Sequence, residues 1–380
     1  MDMKSLKLIL LIALFLSGLT ACANTPEESP TEKELIEYSE MAMDAGFDTI
    51  YAYSEFGYDK AVLEDHYTLG VNMFSSYNKL FDIYNDYEGV ANLKTINDNA
   101  GIQPVEVDQE IIDMLHQAKE IYDISNGAFD ITMGAVLKIW HEYREAGIAL
   151  NEKEELAPVP SQEELDAVSM CRGWDKVEID DENNTVYIND PCVSLDVGGI
   201  AKGYAAEKIA QAIEKNDVVY GNINAGRNIR TMKVKPNDVP WRIGIVNPTG
   251  EGSIVVVDSH EECSYVTSGD YERFYVGEDG YRYHHIVSSE TLKPENLYRS
   301  VSIVTLDSGA ADALSTTLFS ISVEEGKKVL EKYKEITGQD ANAIWIMDKD
   351  KSQGQKGKEI DDLLITYTDA MEDRLIWAHY

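Results

Sequence analysis

The stretch SLDVGGIAKGYAAEKIA, from Ser194 to Ala210, constrains the fold more than any other part of the chain. It joins an apolar, strand-like run to an amphipathic helix through a turn with three glycines, with Asp196 just before the turn and Lys202 inside it. Glycines at a helix N-terminus expose backbone N–H groups toward an anion, so the turn suits a phosphate. A tight, close-packed turn without a ligand explains the same residues. The turn matches neither GxxxxGKS/T nor GxGxxG, so both interpretations stay open.

The net charge of the chain excludes one class of partner. Of its 380 residues, 68 are acidic and 33 are basic, which gives a formal charge of -35 at pH 7. Such a surface repels the phosphates of nucleic acids, and no stripe of lysine and arginine offsets it. We therefore expect no nucleic-acid partner. A bound phosphate would need backbone N–H groups, one or two cations, or a metal ion.

The N-terminus is typical of an export signal. Lys4 and Lys7 precede a short apolar segment, Leu8 to Leu16, which is too short to span a bilayer. The signal ends in the letters LTAC, which resemble the lipobox of bacterial lipoproteins and would make Cys22 the lipidated first residue. An ordinary signal peptide with a chance cysteine is the alternative. We expect an exported protein that contacts the membrane only through a lipid anchor on Cys22.

The remaining cysteines are Cys171, Cys192 and Cys263. They form no CxxC pair and no metal-ligand spacing, and an odd count argues against a disulfide framework. The sequence leaves room for one bridge, but we expect three small buried residues.

Helix and strand patterns are interspersed along the chain. They predict a strand over residues 47–53, a helix over 60–84, a helix capped by Asp108, and a capping box formed by Ser161 and Glu164. Many of the strand-like runs are joined by hairpins. This favours an α+β fold with a mixed, largely antiparallel sheet flanked by helices over a doubly wound parallel fold.

Asp312 and Thr316 in ADALSTTLF are candidate metal ligands. They are four residues apart, so both side chains lie on one face of a helix. A carboxylate and a hydroxyl are hard oxygen ligands of the kind that Mg²⁺ accepts. In the structural alternative, Asp312 complements the helix dipole and Thr316 bonds back to a carbonyl.

His284 and His285 are candidates for a general base. Adjacent residues on a strand point to opposite faces, so the two histidines cannot bind one metal together. One of them could accept a proton from an attacking hydroxyl, because the ordinary pKa of histidine is close to neutral. A surface or core histidine is the alternative.

Asp130 in NGAFDITMG is a further candidate. It follows an Asn-Gly turn and precedes a helical pattern. A capping aspartate in a loop is the alternative to a binding role.

The order of these motifs resembles that of one enzyme family. A tyrosine segment, GAFD, LDVGGIAKGYA, TSGDYERF, HHI and ADALST follow one another from about Phe47 to Phe319. This order resembles the FAD:protein FMN transferase (ApbE) family, and the presence of two well-separated motifs makes the resemblance specific. It implies an α+β fold with FAD in a cleft between the sheet and the helices.

The resemblance also implies an activity. Members of the family use Mg²⁺ to cut the diphosphate of FAD, transfer the FMN half to a Thr or Ser hydroxyl of a target protein, and release AMP. The resemblance therefore implies FAD as substrate, Mg²⁺ as cofactor and, as partner, a flavoprotein subunit of an electron-transfer system.

The site residues are carried over from the resemblance. It makes His285 the base that takes the proton from the target hydroxyl. It implies three Mg²⁺ ligands, namely the side chains of Asp312 and Thr316 and the backbone carbonyl of Gly199. The residues that it places against FAD are Tyr87, which stands ten residues before Asn97 and would stack on a ring of FAD, and Ala128, Phe129, Asp130, Asp196, Lys202 and Ile286.

The domain organisation follows from these features. We expect a lipoprotein signal peptide over residues 1–22, a tether over 23–40 and a flavin transferase domain over 41–380. A proline-containing acidic stretch at 151–164 leaves open a division of that domain into two lobes.

Two departures from the family pattern bear on function. Ser288 and Ser289 stand where members tend to have Asp-Pro, and Arg227 stands where a second glycine is expected. They put the transfer rate or the choice of target in doubt. Two alternatives stay open: a Mg²⁺-dependent FAD pyrophosphatase that gives FMN and AMP, and a flavin-binding lipoprotein without catalysis.

Overall fold

A nine-stranded antiparallel sheet forms the centre of the computed structural model, which describes residues 34–352 and 354–377. The predicted signal peptide over 1–22, including Cys22, lies outside the described residues. Among the described helices, none has both the length and the apolar composition needed to cross a bilayer.

The helices and strands have the following bounds. The α-helices are α1 Lys60–Phe81, α2 Leu93–Asp98, α3 Gln109–Ile124, α4 Gly134–Asn151, α5 Gln162–Val168, α6 Ala201–Glu214, α7 Ser308–Phe319 and α8 Val323–Thr337. The strands are β1 Ile36–Gly46, β2 Thr49–Gly57, β3 Val105–Glu106, β4 Val177–Asp180, β5 Thr185–Ile188, β6 Tyr220–Ala225, β7 Asn228–Met232, β8 Trp241–Val246, β9 Ser253–Ser259, β10 Ser264–Gly269, β11 Tyr275–Val276, β12 Arg282–Tyr283, β13 Ser300–Thr305, β14 Asn342–Asp348, β15 Lys358–Ile360, β16 Leu363–Tyr367 and β17 Leu375–Trp377. Short 3₁₀ helices lie at Trp174–Lys176, Pro236–Asp238, Lys349–Lys351 and Asp369–Arg374.

The large sheet has the strand order β1-β2-β6-β7-β10-β13-β14-β16-β15. Smaller sheets are formed by β11-β12, by β17-β9-β8 and by β3-β5-β4. Every pair of named strands in the described residues is antiparallel. The expected α+β fold with a largely antiparallel sheet is therefore confirmed.

The two faces of the large sheet pack into different cores. In β14, Ala343 and Trp345 belong to the main core that includes the helices, whereas Ile344 and Ile346 belong to a second core shared with β9 and β17. Alternate residues of a strand point to opposite faces, so a strand covered on both sides is apolar throughout. Helices α6 and α7 pack against each other, which brings the glycine turn before α6 close to Asp312 and Thr316 on α7.

Local capping signals account for several element boundaries. The carboxylate of Asp108 accepts the N–H of Glu110 and begins α3, as predicted. The helix predicted over 60–84 ends at Phe81, because the carboxylate of Asp82 accepts the N–H groups of the next turn. The strand predicted over 47–53 begins only at Thr49, since the two preceding residues have positive φ in the turn from β1.

The expectation of three small buried cysteines was wrong. Cys171 and Cys192 form a disulfide, with their Cα atoms 5.1 Å apart, and Cys263 is free and buried. The β4–β5 hairpin lies between the two bonded cysteines and folds back on itself, so it returns the chain to Cys171. Of these three cysteines, two are therefore paired and only Cys263 is free.

The segment Leu35–Tyr380 forms one compact unit. The stretch 151–164, where a division into two lobes was left open, lies within it. Strand β1 begins at Ile36, so the last residues of the expected 23–40 tether belong to the sheet.

Candidate active site

The segment before the glycine turn is anchored by α2. The side chain of Asn97 donates to the carbonyl of Leu195 at 2.9 Å and accepts the N–H of Leu195 at 2.7 Å. Leu195 belongs to no regular strand, in contrast to the expected strand-like run, and only an isolated bridge joins Ser194 to Met133. Side-chain hydrogen bonds therefore replace a sheet ladder in placing the turn.

Two glycines bring the turn against α7. The N–H of Gly203 donates to Oδ2 of Asp312 at 2.9 Å. A Cβ at Gly203 would lie 2.1 Å from the carbonyl oxygen of Ser308, so no larger residue fits there. A Cβ at Gly199 would lie 3.2 Å from Oγ1 of Thr316. The structure thus brings together Gly199, Asp312 and Thr316, which the sequence placed in one metal site.

Neither role of the structural alternative for this pair is observed. Asp307, not Asp312, caps α7, and Thr317, not Thr316, donates its hydroxyl to a backbone carbonyl one turn earlier. Oδ1 of Asp312 and the hydroxyl of Thr316 form no hydrogen bond with any described residue. Both oxygens are therefore free to bind a ligand.

The donor set suits Mg²⁺. No cluster of three or more His, Cys, Asp or Glu side chains that could hold a metal occurs in the described residues. A metal here would instead bind one carboxylate, one hydroxyl and one backbone carbonyl, which are hard oxygen ligands. Mg²⁺ is commonly bound by one or two carboxylates together with water and substrate phosphates. The residues present fit that ion.

Lys202 supplies a cation beside the pair. Its Nζ lies 3.8 Å from Oδ2 of Asp312 and 3.4 Å from the carbonyl oxygen of Gly198. The carboxylate of Asp196 accepts the N–H of Gly198 at 2.9 Å and so shapes the start of the turn. Burial raises the pKa of Asp196, and the positive charge of Arg144 opposes this shift.

His284 and His285 point to opposite sides, as predicted. The buried ring of His284 donates from Nε2 to the carbonyl of Glu295 at 2.9 Å and accepts the N–H of Ile286 at Nδ1. His285 is half-buried, and its Nδ1 lies 3.3 Å from the carbonyl oxygen of Glu272. A carbonyl oxygen only accepts, so this contact assigns the proton to Nδ1 and leaves Nε2 as the acceptor.

The environment of His285 favours its neutral form. Burial lowers the pKa of His285 to about 3, and the charges of His284, Arg273, Arg144 and Lys202 act in the same direction. A neutral imidazole is the form that can accept a proton. His285 is therefore neutral at neutral pH, and its role as the base stays a prediction.

The GAFD segment lies next to the turn. Phe129 is buried, and its Cε2 atom would lie 3.2 Å from a Cβ at Gly199. Oδ1 of Asp130 accepts both the N–H and the hydroxyl of Thr132, and burial raises the pKa of Asp130. Asp130 is not a helix cap, because α4 begins after Met133 without a side-chain cap.

A cavity of about 750 Å³ opens beside this segment. Its lining includes Ala128 and Asp130 together with Arg172, Ser289 and Lys332. Ile286 is buried and contributes its N–H to His284 rather than to the cavity. Ala128 and Asp130 are therefore accessible to a ligand, whereas the contact of Ile286 with FAD stays a prediction.

Tyr84 and Tyr87, in the loop after α1, have different contacts. The hydroxyl of Tyr87 donates to Asp82 at 2.7 Å, and this bond raises the pKa of Tyr87 to about 12. Tyr84, which the sequence did not single out, is more than half exposed, and its ring centroid lies 5.3 Å from that of His141. The charge of Asp196 contributes, after burial, to raising the pKa of Tyr84. Tyr84 thus lies on the Asp196 side of the site, and stacking by Tyr87 stays a prediction.

Both departures from the family pattern have structural roles. The hydroxyl of Ser288 accepts N–H groups from the two residues at 290 and 291, and Ser289 donates to the carbonyl of Gly127 at 2.7 Å. Arg227 has a left-handed φ of 72° and forms an ion pair with Glu272. Since the carbonyl of Glu272 contacts His285, these residues support the site rather than break it.

The sequence analysis did not single out Arg144 and Arg273. Arg273 directly follows Glu272, whose carbonyl oxygen contacts His285, and the charges of both arginines help to lower the pKa of His285. Arg144 belongs to α4 and Arg273 to the TSGDYERF motif, which the sequence had quoted without assigning its arginine a role. For Arg273 the sequence did offer a signal, because an arginine within a matched motif is notable in such an acidic chain.

Comparison with known proteins identifies the family of this chain. The sequence profile of the ApbE family matches residues 49–338. The FAD:protein FMN transferase of Treponema pallidum is 34% identical over 257 residues, which cover 63% of this chain and 68% of that protein. The enzyme of the same name from Klebsiella pneumoniae is 27% identical, over 76% of this chain and 87% of the relative.

Solved structures show the same architecture. The ApbE protein of Thermotoga maritima superimposes with a TM-score of 0.68 at 29% identity and covers 82% of this chain and 94% of its own. The flavin transferase ApbE of Vibrio cholerae has a TM-score of 0.67 at 22% identity, over 90% and 99% of the two chains, and supports the fold alone. With the profile matched across most of the chain, this protein belongs to the ApbE family.

Proposed function

We propose that this protein transfers FMN from FAD to a threonine or serine hydroxyl of a target flavoprotein, with Mg²⁺ as cofactor and AMP as the leaving product. The observation that carries the proposal is the pair of unused oxygens on Asp312 and Thr316, which face the glycine turn. The names of the relatives support the same reaction.

The metal would be bound by Asp312, Thr316 and the carbonyl of Gly199. When bound, Mg²⁺ neutralises diphosphate charge and favours departure of the phosphate leaving group. A chain with a net charge of -35 has a particular need for such cations at a phosphate site. Lys202 and the backbone N–H groups at the start of α6 supply further positive charge.

His285 would act as the base. The hydroxyl oxygen of the target attacks the phosphorus of the FMN half, and its proton passes to Nε2 of His285. The bond from that phosphorus to the bridging oxygen breaks, and AMP departs with the electron pair. Nδ1 of His285 keeps its proton and donates it to the carbonyl of Glu272, which fixes the ring orientation. Phosphoryl transfer needs positioning and charge stabilisation more than covalent help from the enzyme.

Export and lipidation at Cys22 are part of the proposal. The disulfide between Cys171 and Cys192 supports an extracytoplasmic location, because disulfides persist in oxidising compartments. The target would then be an exported or membrane-bound electron-transfer protein.

The test follows AMP release from FAD by the purified full-length protein at several Mg²⁺ concentrations. Thr316→Val removes the hydroxyl without changing the shape of the side chain, and we expect at least a 10-fold higher Mg²⁺ requirement. Thr317→Val is the matched control on the same helix, since that hydroxyl bonds only to the carbonyl of Ala313. Equal Mg²⁺ dependence of both variants would contradict the assignment of the metal site.

An acceptor fragment with a Ser/Thr-Gly-Ala-Thr-type motif separates the three functions. AMP release only in its presence, with an acceptor heavier by one FMN, identifies the transferase. Equal AMP release without the fragment identifies a pyrophosphatase. FAD binding without AMP release in either case, unaffected by Asp312→Ala, identifies a flavin-binding protein.

A further inference from the structure

Arg144 is an almost buried arginine without a bonded carboxylate. Its side chain is 13% exposed, and the nearest carboxylate oxygen, on Glu145, lies 3.8 Å from its Nε. The Nε group is buried and has no hydrogen-bond partner among the described residues. A terminal nitrogen contacts Nδ1 of His141 at 2.9 Å. Burying a charge is costly unless it is paired and hydrogen-bonded, and the ion pair with Glu145 is long and leaves Nε without a hydrogen bond.

Another buried arginine shows how this chain usually neutralises such a charge. Arg230 is 3% exposed and pairs with Glu207 and Glu262 at 2.8 Å each. Carboxylates are abundant, with 68 acidic residues against 33 basic ones. Arg144 differs from Arg230, because its ion pair with Glu145 is 3.8 Å long and involves a largely exposed carboxylate.

Arg273 adds a second cation. It is exposed, and it forms no ion pair or hydrogen bond with any described residue. Its φ of 46° lies in the left-handed region, which costs a non-glycine residue free energy and is often found at functional sites. Its charge, after burial, lowers the pKa of Arg144, so the two guanidinium groups are close enough to repel each other. The charge of Asp196 raises the pKa of Arg144, but the two side chains form no ion pair.

These two cations lie near His285. Arg273 directly follows Glu272, whose carbonyl oxygen lies 3.3 Å from Nδ1 of His285. Helix α4 packs against the strand that follows Arg273, because a Cβ at Gly147 would lie 2.5 Å from the ring of Tyr275. The charges of Arg144, Arg273 and Lys202 all help to lower the pKa of His285, and Lys202 lies 3.8 Å from Asp312. An anion in this position would face cations from α4, from α6 and from the loop before β11. A guanidinium fork matches the oxygens of a phosphate and stays protonated at any physiological pH.

We propose that Arg144 and Arg273 bind the phosphate that departs with AMP. This inference rests on the proposed flavin transfer and names the residues that bind the leaving group. Asp312 and Thr316 would act on the diphosphate through the metal, whereas the two arginines act directly and without it. The departing phosphate gains negative charge as its bond breaks, so its cations contribute most in the transition state.

Equilibrium binding without a metal tests the inference. Dissociation constants of AMP, FMN and FAD are measured for the full-length protein in EDTA, by calorimetry and flavin fluorescence. We expect Arg144→Met and Arg273→Met each to weaken binding of AMP and FAD by at least 10-fold and to leave FMN binding within 2-fold. Arg144→Lys should recover only part of the loss, because it keeps the charge and loses the fork.

The controls separate the two proposals. Lys138→Met removes an exposed cation from the same helix as Arg144 and should leave all three constants unchanged. Arg273 is exposed, so we expect its replacement to leave the packing of the core unchanged. Wild-type protein that binds no FAD would overturn both the proposed function and this inference. Wild-type binding together with unchanged AMP affinity in both arginine variants would overturn this inference alone.

Discussion

His284 and His285 are adjacent in sequence but have different surroundings, because successive side chains of an extended segment point to opposite sides. His284 is 1% exposed, and its ring stacks edge-on against Phe319 with centroids 5.2 Å apart. Both of its nitrogens have partners that fit the neutral form, namely a carbonyl at Nε2 and an N–H at Nδ1. His285 instead contacts the carbonyl of Glu272 through Nδ1, and its Nε2 has no hydrogen bond with a described residue. One histidine therefore serves packing, and the other has a ring nitrogen left for the proposed chemistry.

The buried His284 makes stability depend on pH. Burial lowers the pKa of His284 to about 4, whereas an unfolded chain has a histidine pKa near 6.5. Between these values the unfolded state binds more protons, so stability falls as pH drops from 6.5 toward 4. We expect the free energy of unfolding at pH 5 to be lower than at pH 7 by about 2 kcal/mol from this residue.

Urea unfolding at pH 7 and pH 5 measures this contribution. His284→Gln should reduce the pH-dependent difference by that amount, even though the variant is less stable at pH 7. His116→Gln is the control, since His116 is half exposed and pairs with Asp181 at the surface. An unchanged pH dependence in the His284 variant would refute the assignment of a neutral buried ring.

At the scale of elements, the site depends on the contact between α6 and α7. Oε2 of Glu207 accepts the N–H of Ser308 at 3.0 Å and a bond from Arg230 at 2.8 Å. Ser308 is the first residue of α7, and Asp312 lies one turn later. Glu207 thus fixes the start of the helix that carries both proposed metal ligands, and it acts as a positioning residue.

Removing this contact should affect both stability and metal binding. Glu207→Ala breaks a buried ion pair, and we expect a loss of about 3 kcal/mol in the free energy of unfolding. The Mg²⁺ affinity should fall as well, because α7 is no longer aligned with the turn. Urea unfolding and calorimetric titration with Mg²⁺ measure the two effects.

Glu214→Gln is the matched control on the same helix. Burial raises the pKa of Glu214, and its carboxylate lies 3.8 Å from Arg230 rather than the 2.8 Å of the Glu207 pair, so a neutral amide should change less. We expect it to alter stability by less than about 1 kcal/mol and to leave Mg²⁺ affinity unchanged. Unaltered Mg²⁺ affinity in a folded Glu207→Ala protein would show that Glu207 is only structural.

The features that could be predicted from the sequence are those that local interactions determine. Caps such as Asp108 act within one turn, and the four-residue spacing of Asp312 and Thr316 puts both on one face whatever surrounds the helix. Tyr84 and Arg144 were missed because their neighbours come from distant segments. Tyr87 was chosen by its spacing to Asn97, and spacing along a loop does not determine which ring enters a cleft.

At the scale of the molecule, a disulfide joins the two ends of the segment between Cys171 and Cys192. The disulfide joins Cys171, next to the cavity-lining Arg172, to Cys192, which precedes the glycine turn by only a few residues. The sequence analysis expected no bridge, since pairing depends on how the intervening hairpin folds and not on the count of cysteines. The disulfide therefore links the cavity lining at Arg172 to the segment that leads into the glycine turn.

Loss of this bridge should destabilise the whole unit. Residues 21 positions apart are linked, and closing such a loop in the unfolded chain corresponds to about 3 kcal/mol. We expect the Cys171→Ser, Cys192→Ser double variant to unfold at lower urea concentration than wild type, with no further response to reductant. Cys263→Ser is the control and should keep the response to reductant, because that thiol is free. Peptide mapping without reductant should recover the two half-cystines in one linked fragment, and their recovery as separately alkylated thiols would refute the bridge.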